Sequence, residues 1–339
     1  MLVGLLFLGL VGSIVLTVGI GSVAVPPSHV WGAVADRIGG PTCHECTIAE
    51  LNIVWLLRMP RVLIGVLVGA ALSCAGVAVQ ALVRNPLADP YLLGISQGAS
   101  FGAAVQILFG VSLAGGGLVL GASALATSAF VGALMAIALV LAVARIGGRL
   151  VSSRLVFAGI AIGFALAALT NLLVFLSDSR DAVRAVMFWT LGSLGQSRWD
   201  QLPVVAIVVL GSGLLLWWWS RRFDAITLGD DTALSLGTDP TRFRTAAVIV
   251  VAALVAVSVS VSGAIGFVGL VVPHIARLLV GATHRRVLPA AALIGALVLV
   301  WADALARTAF QPVELPLGVL TALLGTPLLI VLVHRLRVA

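Results

Sequence analysis

The sequence contains no lysine, and only 10% of its 339 residues are charged. A soluble globular chain is about one-quarter charged and about half apolar, whereas 61% of these residues are hydrophobic. So much apolar surface cannot be buried in one water-facing core, which leaves lipid as its solvent. The lack of lysine also excludes a P-loop, whose lysine reaches the nucleotide phosphates, and no GxxxxGK[ST] pattern is present. We therefore do not expect the chain to hydrolyse ATP by that route.

Cysteine is scarce, and three residues are too few for a disulfide scaffold. Cys74 lies in an apolar run, where a thiol usually packs as a small hydrophobe. Cys43 and Cys46 stand in a polar Cys-His-Glu-Cys loop that we place outside the membrane. An oxidising compartment favours a disulfide between them. Metal contact and free thiols remain alternatives, because a lone CxxC lacks the ligands of a closed zinc site.

Apolar runs dominate the rest of the chain, and each is close to the roughly 20 residues that one helical crossing needs. They lie near residues 2–25, 62–83, 93–113, 117–144, 153–176, 202–220, 245–262, 266–282, 287–306 and 316–334. The sequence therefore predicts an all-α membrane protein with about ten transmembrane helices, folded as one polytopic domain over residues 1–339. The eighth run is short and starts in Gly263-Ala264-Ile265-Gly266, which predicts a partial or tilted helix.

The first run has no basic residue ahead of it, which favours a retained span. A cleaved signal peptide is the alternative, because Ser22-Val23-Ala24 resembles a cleavage site.

The net charge is +7, and all twenty basic residues are arginines. A positive balance can indicate nucleic-acid binding, but most of these arginines lie in short loops between apolar runs, where they indicate membrane topology. With the N-terminus inside, thirteen arginines lie inside and seven outside. We therefore expect a multi-pass inner-membrane protein with both termini cytoplasmic, in contact with lipid and not with nucleic acid.

The longest predicted cytoplasmic loop, residues 221–244, contains a short helix signal. Asp230 or Asp231 can cap its N-terminus, Gly237 suits the position after its C-terminus, and Pro240 prevents continuation. Such a knob suits insertion into the groove of a partner. An ordinary capped loop helix is the alternative.

Two further loops carry candidate functional residues. Asn85 and Pro86 begin a rigid turn on the cytoplasmic side, which is either a gate or a tight connection between helices. Arg58, Arg61 and Arg307 lie at the predicted outer rim, where exposed arginines suit carboxylates on a partner. The alternatives are an i,i+4 pair of Arg307 with Asp303 and snorkelling of the other two.

Polar side chains within the predicted spans are few, and Gln80, Gln97, Thr170 and Asn171 are among them. A carrier driven by protons or ions usually needs ionisable groups there. Their scarcity argues that the energy for transport comes from another protein. An ion-coupled secondary carrier remains an alternative of another class, as does a membrane receptor or structural component without transport.

Four motifs together resemble one family, the FecCD-type permeases of bacterial ABC importers for ferric siderophores, haem or cobalamin. They are Arg58-Met59-Pro60-Arg61, Arg84-Asn85-Pro86-Leu87-Ala88-Asp89-Pro90, Gly266-Phe267-Val268-Gly269-Leu270-Val271-Val272-Pro273-His274-Ile275-Ala276-Arg277 and Glu314-Leu315-Pro316-Leu317-Gly318. The resemblance covers nearly the whole chain. It implies a non-enzymatic permease subunit with ten spans, working as a homodimer or pseudodimer around a central pathway.

The resemblance also implies partners and site residues. The partners are two cytoplasmic ATPase subunits, which bind the ATP and Mg that this chain does not, a substrate-binding protein outside the membrane, and a second permease copy. The resemblance implies coupling to the ATPases at Gly229, Asp230, Asp231, Thr232, Ala233, Leu234, Ser235, Leu236 and Gly237; binding-protein docking at Arg58, Arg61 and Arg307; and a cytoplasmic gate at Asn85, Leu87, Ser152 and Ser153.

The fifth span is the main lining of the family's pathway, and Gln97, Thr170 and Asn171 are candidate lining residues here. We expect a ferric siderophore or similar iron complex as cargo, with haem and cobalamin as alternatives. No cofactor or metal site of the chain's own is expected.

Overall fold

The computed structural model describes residues 2–21, 25–37, 39–40, 43, 45–111, 124–145 and 150–336. Within these ranges the regular structure is entirely helical, which confirms the predicted all-α class. The sequence predictions on Ser22-Val23-Ala24 and on His44, together with Arg149 and Arg337 of the charge count, lie outside the described residues.

Fifteen α-helices follow one another in the described part of the chain. They are α1 (Leu2–Gly19), α2 (Pro27–Arg37), α3 (Ile48–Asn52), α4 (Met59–Val83), α5 (Ile95–Phe109), α6 (Ala124–Ala144), α7 (Ser152–Phe175), α8 (Arg180–Thr190), α9 (Leu202–Trp218), α10 (Ser220–Thr227), α11 (Asp230–Ser235), α12 (Pro240–Ser262), α13 (Val268–Val280), α14 (His284–Thr308) and α15 (Leu317–Leu336). A π-helical turn, Ile53–Arg58, joins α3 to α4, and a 3₁₀ turn, Pro90–Leu93, precedes α5.

Each of the ten predicted apolar runs overlaps one of these helices. Among the described residues, six spans are long and apolar enough to cross a membrane, and the pair α9 and α10, bent by 56°, makes a seventh when it is counted as one span. Two apolar helices, α5 and α13, are shorter, as is the stretch Leu317–Val331 of α15. The count of ten crossings therefore stays a prediction.

The buried centre of the bundle is α4, which packs against α14, α13, α12 and α9. Glycines permit the closest approaches, since a Cβ atom at Gly76 would overlap the carbonyl of Gly269, and one at Gly69 would overlap that of Gly295. Helices in lipid gain no hydrophobic energy from meeting each other, so close backbone packing at small residues has to hold them together.

The break before α13 confirms the predicted partial helix. Residues 263–267 are non-helical, and Gly263 and Phe267 have φ values of 64° and 67°. The hydroxyl of Tyr91 donates to the Ile265 carbonyl at 3.1 Å and accepts from the Ile265 N–H at 3.0 Å. Non-helical backbone within a membrane protein needs such partners, because lipid supplies none.

The bundle has two ends that matter for function. Ser152, at the start of α7, lies beside α11, whereas the other end of this 24-residue helix leads into α8. At 1.5 Å per residue the two ends are about 36 Å apart. We call them the α11 end and the α8 end.

Candidate coupling and gate site

The predicted knob is present as a short helix, α11, with a glycine-terminated C-terminus. The N–H of Thr238 bonds to the Ala233 carbonyl at 2.8 Å, and the N–H of Gly237 bonds to the Leu234 carbonyl at 2.9 Å. Gly237 has φ 77°, which glycine adopts without strain. This pair of bonds ends α11 where the sequence predicts, and its coupling role stays a prediction.

The predicted N-terminal cap of α11 is wrong. Gly229, with φ 128°, occupies the N-cap position, and no side chain caps the helix. Asp230 is instead the first helical residue, and its carboxylate bonds to two arginines. A buried arginine without a counter-charge costs more free energy than an uncapped N–H group at an exposed helix end. The carboxylate therefore pairs with the arginine and does not cap the helix.

Arg244 of α12 is the main partner of Asp230. Its Nη1 and Nη2 donate to Oδ2 and Oδ1 of the carboxylate at 2.9 and 2.7 Å. Arg244 is only 1% exposed. Its hydrogen bonds keep the pKa of the Asp230 carboxyl below the usual value. The bidentate geometry fixes the orientation of α11 relative to α12.

Arg84 is the second partner of Asp230, and it ends α4 in the left-handed conformation with φ 55°. Its Nε donates to the carbonyl of Ile226 in α10 at 2.8 Å, and its Nη2 forms an ion pair with Asp230. One arginine therefore ties the end of α4, and the turn that follows it, to both α10 and α11.

Three of the four predicted gate residues meet at this site. Asn85, Ser152 and Ser153 line a single cleft together with Asp230 and Arg244. The hydroxyl of Ser152 donates to the Leu82 carbonyl at 2.8 Å, which joins the start of α7 to the end of α4.

The fourth predicted gate residue, Leu87, is not among those that line the cleft. Its backbone N–H donates to Oδ1 of Asn85 at 2.9 Å, which stabilises the turn after α4.

The three candidate lining residues differ in their exposure. Thr170 is buried and its hydroxyl donates to the Leu166 carbonyl of its own helix at 2.9 Å, and its role in lining the pathway stays a prediction. A hydroxyl satisfied by the preceding turn can face a helix interface. Asn171 is exposed on α7. Gln97 is half-buried on α5, and its Oε1 has no partner among the described residues.

The prediction of an exposed arginine rim is wrong. Arg58, Arg61 and Arg307 are 6%, 9% and 5% exposed. Arg61 donates from Nε to Asp303 at 3.0 Å and forms an ion pair with Glu314 at 2.9 Å. The alternative of an i,i+4 pair holds, since Nε of Arg307 lies 3.1 Å from Asp303.

Backbone carbonyls of the first helix region complete this arginine network. Arg58 donates to the carbonyls of Val18 and Gly19 at 3.1 and 2.9 Å, and Arg307 donates to that of Ile20 at 3.0 Å. Carbonyls at a helix C-terminus lack helical partners and carry partial negative charge, which makes them suitable acceptors for a guanidinium. The network lies at the α8 end, because Gly195 of the turn after α8 is close to Arg61 and Glu314.

Sequence reasoning missed Arg84, Arg244 and Glu314 as members of these clusters. Partners 146 and 253 residues apart in sequence leave no periodic signal. The only available signal was that charges are rare in so apolar a chain, and a rare charge beside a span is usually paired.

Cys43 and Cys46 are joined by a disulfide, the pairing that the sequence favours. The disulfide packs against α2, where a Cβ atom at Gly32 would lie 2.6 Å from the Cys43 sulfur. The loop therefore belongs to the small helical layer around α2 and α3.

Comparisons with known proteins agree on one group of relatives. The sequence model of the FecCD transport family matches residues 8–335. The hemin transport system permease protein HmuU of Yersinia pestis is 41% identical over 286 residues, which are 84% of either chain. The vitamin B12 import system permease protein BtuC of Klebsiella pneumoniae is 41% identical over 291 residues, 84% of this chain and 83% of that protein.

A solved structure has the same fold over nearly its full length. It is an inward-facing conformation of a metal-chelate type ABC transporter, with a TM-score of 0.84 and 31% identity over 98% of this chain and 99% of the other.

Proposed function

Because the chain belongs to the FecCD transport family, we propose that this ABC importer permease carries a ferric siderophore or a similar iron complex across the inner membrane. Haem and cobalamin are equal alternatives, since relatives named for hemin and vitamin B12 are both 41% identical to it. The observation that carries the proposed mechanism is the contact of Asp230 with Arg84, which connects the surface helix α11 to the turn at the predicted gate.

The ATPase subunits bind at α11 in this proposal. Leu234 and Leu236 are exposed at this helix, 50% and 63% respectively, at the end of the bundle. Exposed leucines on a rigid surface helix suit an apolar groove in a partner. The chain's lack of lysine and of a P-loop agrees with an energy source in separate subunits.

Movement of the ATPases reaches the gate through ionic contacts. When α11 moves, the Asp230 carboxylate moves with it, and Arg84 transmits the displacement to the end of α4 and to Asn85. The hydrogen bond from Ser152 to the Leu82 carbonyl extends this connection to α7. Short, charge-assisted bonds are suited to this task because they tolerate little change in geometry.

The translocation pathway forms between two copies of the chain, with α7 as its main lining. Phe157, Phe164 and Phe175 are exposed along this helix, and Asn171 lies among them. A surface with so few charged groups binds a bulky chelate weakly, which permits release. The exposed apolar face of α7 also suits a homodimer contact.

The binding protein docks at the α8 end, beside the arginine network. Arg58, Arg61 and Arg307 contribute indirectly, because their side chains are buried in the chain. Glu314 pairs with Arg61 and has a side chain that is 48% exposed, so it is the member of the network that a docked protein can contact. Both termini are cytoplasmic in this arrangement.

Transport by the complete assembly tests the proposal. The permease is reconstituted in vesicles with its two ATPases and its binding protein, and uptake of a ferric siderophore, haem and cobalamin is measured in parallel. We expect uptake of one of them only when ATP is present on the α11 side. Uptake driven by an ion gradient without the ATPases would instead identify a secondary carrier.

A further inference from the structure

An apolar groove lies on the side of the bundle between α4, α9 and α14, away from the coupling site. Its volume is about 370 Å³, and its lining residues carry no charged side chain among those that the structure describes. Small residues on the three helices leave the space open, namely Ala70, Gly213 and Ala292. Exposed Leu210 and Leu214 of α9 form its border, so the groove faces the lipid.

Pro289 and Trp217 shape the end of the groove nearest to α11. Proline has no N–H, so Pro289 leaves the carbonyl of Arg285, four residues earlier, without its helical partner. The indole Nε1 of Trp217 donates to that carbonyl at 3.2 Å and bridges α9 and α14. A tryptophan with an apolar body and a satisfied N–H is typical of the membrane interface.

Positive charge collects at this same end of the groove. The guanidinium carbon of Arg285 lies 5.5 Å from the centre of the Trp217 ring. Exposed Arg286 follows it, and Arg221 and Arg222 begin the helix after α9. The nearby segments 217–228 and 281–289 together contain one carboxylate, that of Asp224. This carboxylate already accepts a hydrogen bond from His284 at 2.6 Å.

We propose that this groove is a binding site for one anionic phospholipid of the membrane leaflet at the α11 end. One acyl chain lies in the groove between α4, α9 and α14, and the phosphate is bound by Arg285 above the Trp217 ring. Four arginines against one paired carboxylate favour an anionic headgroup over a zwitterionic one. The occupant is lipid because the groove opens sideways, between α4 and α14, which are long and apolar enough to cross the membrane, and α9, which reaches that length together with α10.

Native mass spectrometry of the full chain tests this site, with phosphatidylglycerol and phosphatidylcholine of the same acyl chains titrated in detergent. We expect one phosphatidylglycerol bound at concentrations that leave phosphatidylcholine unbound. Gly213→Leu should abolish this binding by filling the groove, and the change fits the fold because a Cβ atom there meets nothing within 4 Å. Gly211→Leu is the matched control, since its Cβ also meets open space on the same helix.

A charge variant tests the headgroup separately. Arg285→Gln should weaken phosphatidylglycerol binding about fivefold and reduce the preference over phosphatidylcholine by the same factor. Arg180→Gln, exposed at the α8 end, should leave both unchanged.

The proposal is overturned if Gly213→Leu binds phosphatidylglycerol like the unaltered chain, or if the unaltered chain binds both lipids equally. Loss of dimers in Gly213→Leu with lipid binding intact would assign the groove to a second copy of the chain instead. None of these three outcomes depends on which cargo is transported.

Discussion

Asp230 of α11 accepts two hydrogen bonds, at 2.9 and 2.7 Å, from Arg244 of α12, a side chain that is 1% exposed. The counter-charge of a buried arginine is thus supplied by the helix proposed to receive the ATPase. Because Arg84 shares the same carboxylate, α11 cannot move away from the bundle without breaking ionic contacts to α4 and α12. This relationship makes Asp230 the first residue to test.

Asp230→Asn should uncouple ATP hydrolysis from transport. The amide retains the shape but loses the charge that neutralises Arg244 and Arg84. Because the Asp230 side chain is about one-third exposed, the cost to folding is about 1–3 kcal/mol, less than for a fully buried pair. Cargo uptake per ATP hydrolysed should fall at least about tenfold, a change of about 1.4 kcal/mol in coupling.

Asp231→Asn is the matched control, since this neighbouring residue is exposed and the ion pairs of Arg84 and Arg244 are made with Asp230 instead. Equal coupling ratios in the two variants would contradict the proposed role of Asp230. Uptake should also change little with pH near neutrality. The pKa of Asp230 is lowered, so the stability from its ion pairs is present above the unfolded value of about 3.9 and is lost only as the pH falls through the lower folded value.

Leu234→Glu and Leu236→Glu should weaken assembly with the ATPase subunits without unfolding the chain. Both side chains are exposed, so a glutamate there should not destabilise the fold of the chain. It should weaken binding instead, because the new carboxylate loses its water in the partner's apolar groove. Co-purification of tagged ATPase with each permease variant measures the loss. Ala233→Glu serves as contrast, because Ala233 is fully buried and its replacement should disrupt the fold itself. Normal recovery of ATPase with both leucine variants would place its docking surface elsewhere.

Asp303→Asn should destabilise the α8 end far more than Glu314→Gln. Asp303 is 1% exposed and forms ion pairs with both Arg61 and Arg307. Removing its charge takes a partner from two buried cations, which should lower the free energy of unfolding by about 3–5 kcal/mol. The half-exposed carboxylate of Glu314 should contribute about 0–1 kcal/mol. Thermal unfolding in one detergent compares the two variants. Similar melting temperatures would mean that solvent reaches the network.

Gly76→Val should prevent recovery of folded protein. A side chain there would overlap the backbone of Gly269, and the two helices would have to separate along their contact. Overpacking of this kind costs about 1–3 kcal/mol or more. Gly211→Val, where a Cβ meets open space, is expected to be tolerated. Size-exclusion profiles of the two variants provide the comparison.

Several features of the site could be read from the sequence. The turn chemistry of Gly237 and Pro240 predicted where α11 ends, because glycine and proline act through local backbone geometry. The resemblance carried by four motifs is confirmed by the family match over residues 8–335. The cap at Asp230 was predicted wrongly, because local reasoning could not include Arg244.

The sequence by itself determined that this protein is helical and membrane-embedded, since composition and apolar run length decide which solvent a chain can tolerate. Only the tertiary structure decided the partners of its few charges. Arg61 and Asp303 are 242 residues apart in sequence, and nothing local indicates that α4 and α14 bring them together. Lipid offers no partner to a buried ion, and this chain has few charges of its own. The packing of the helices therefore decides whether an arginine faces a partner protein or is neutralised within its own chain.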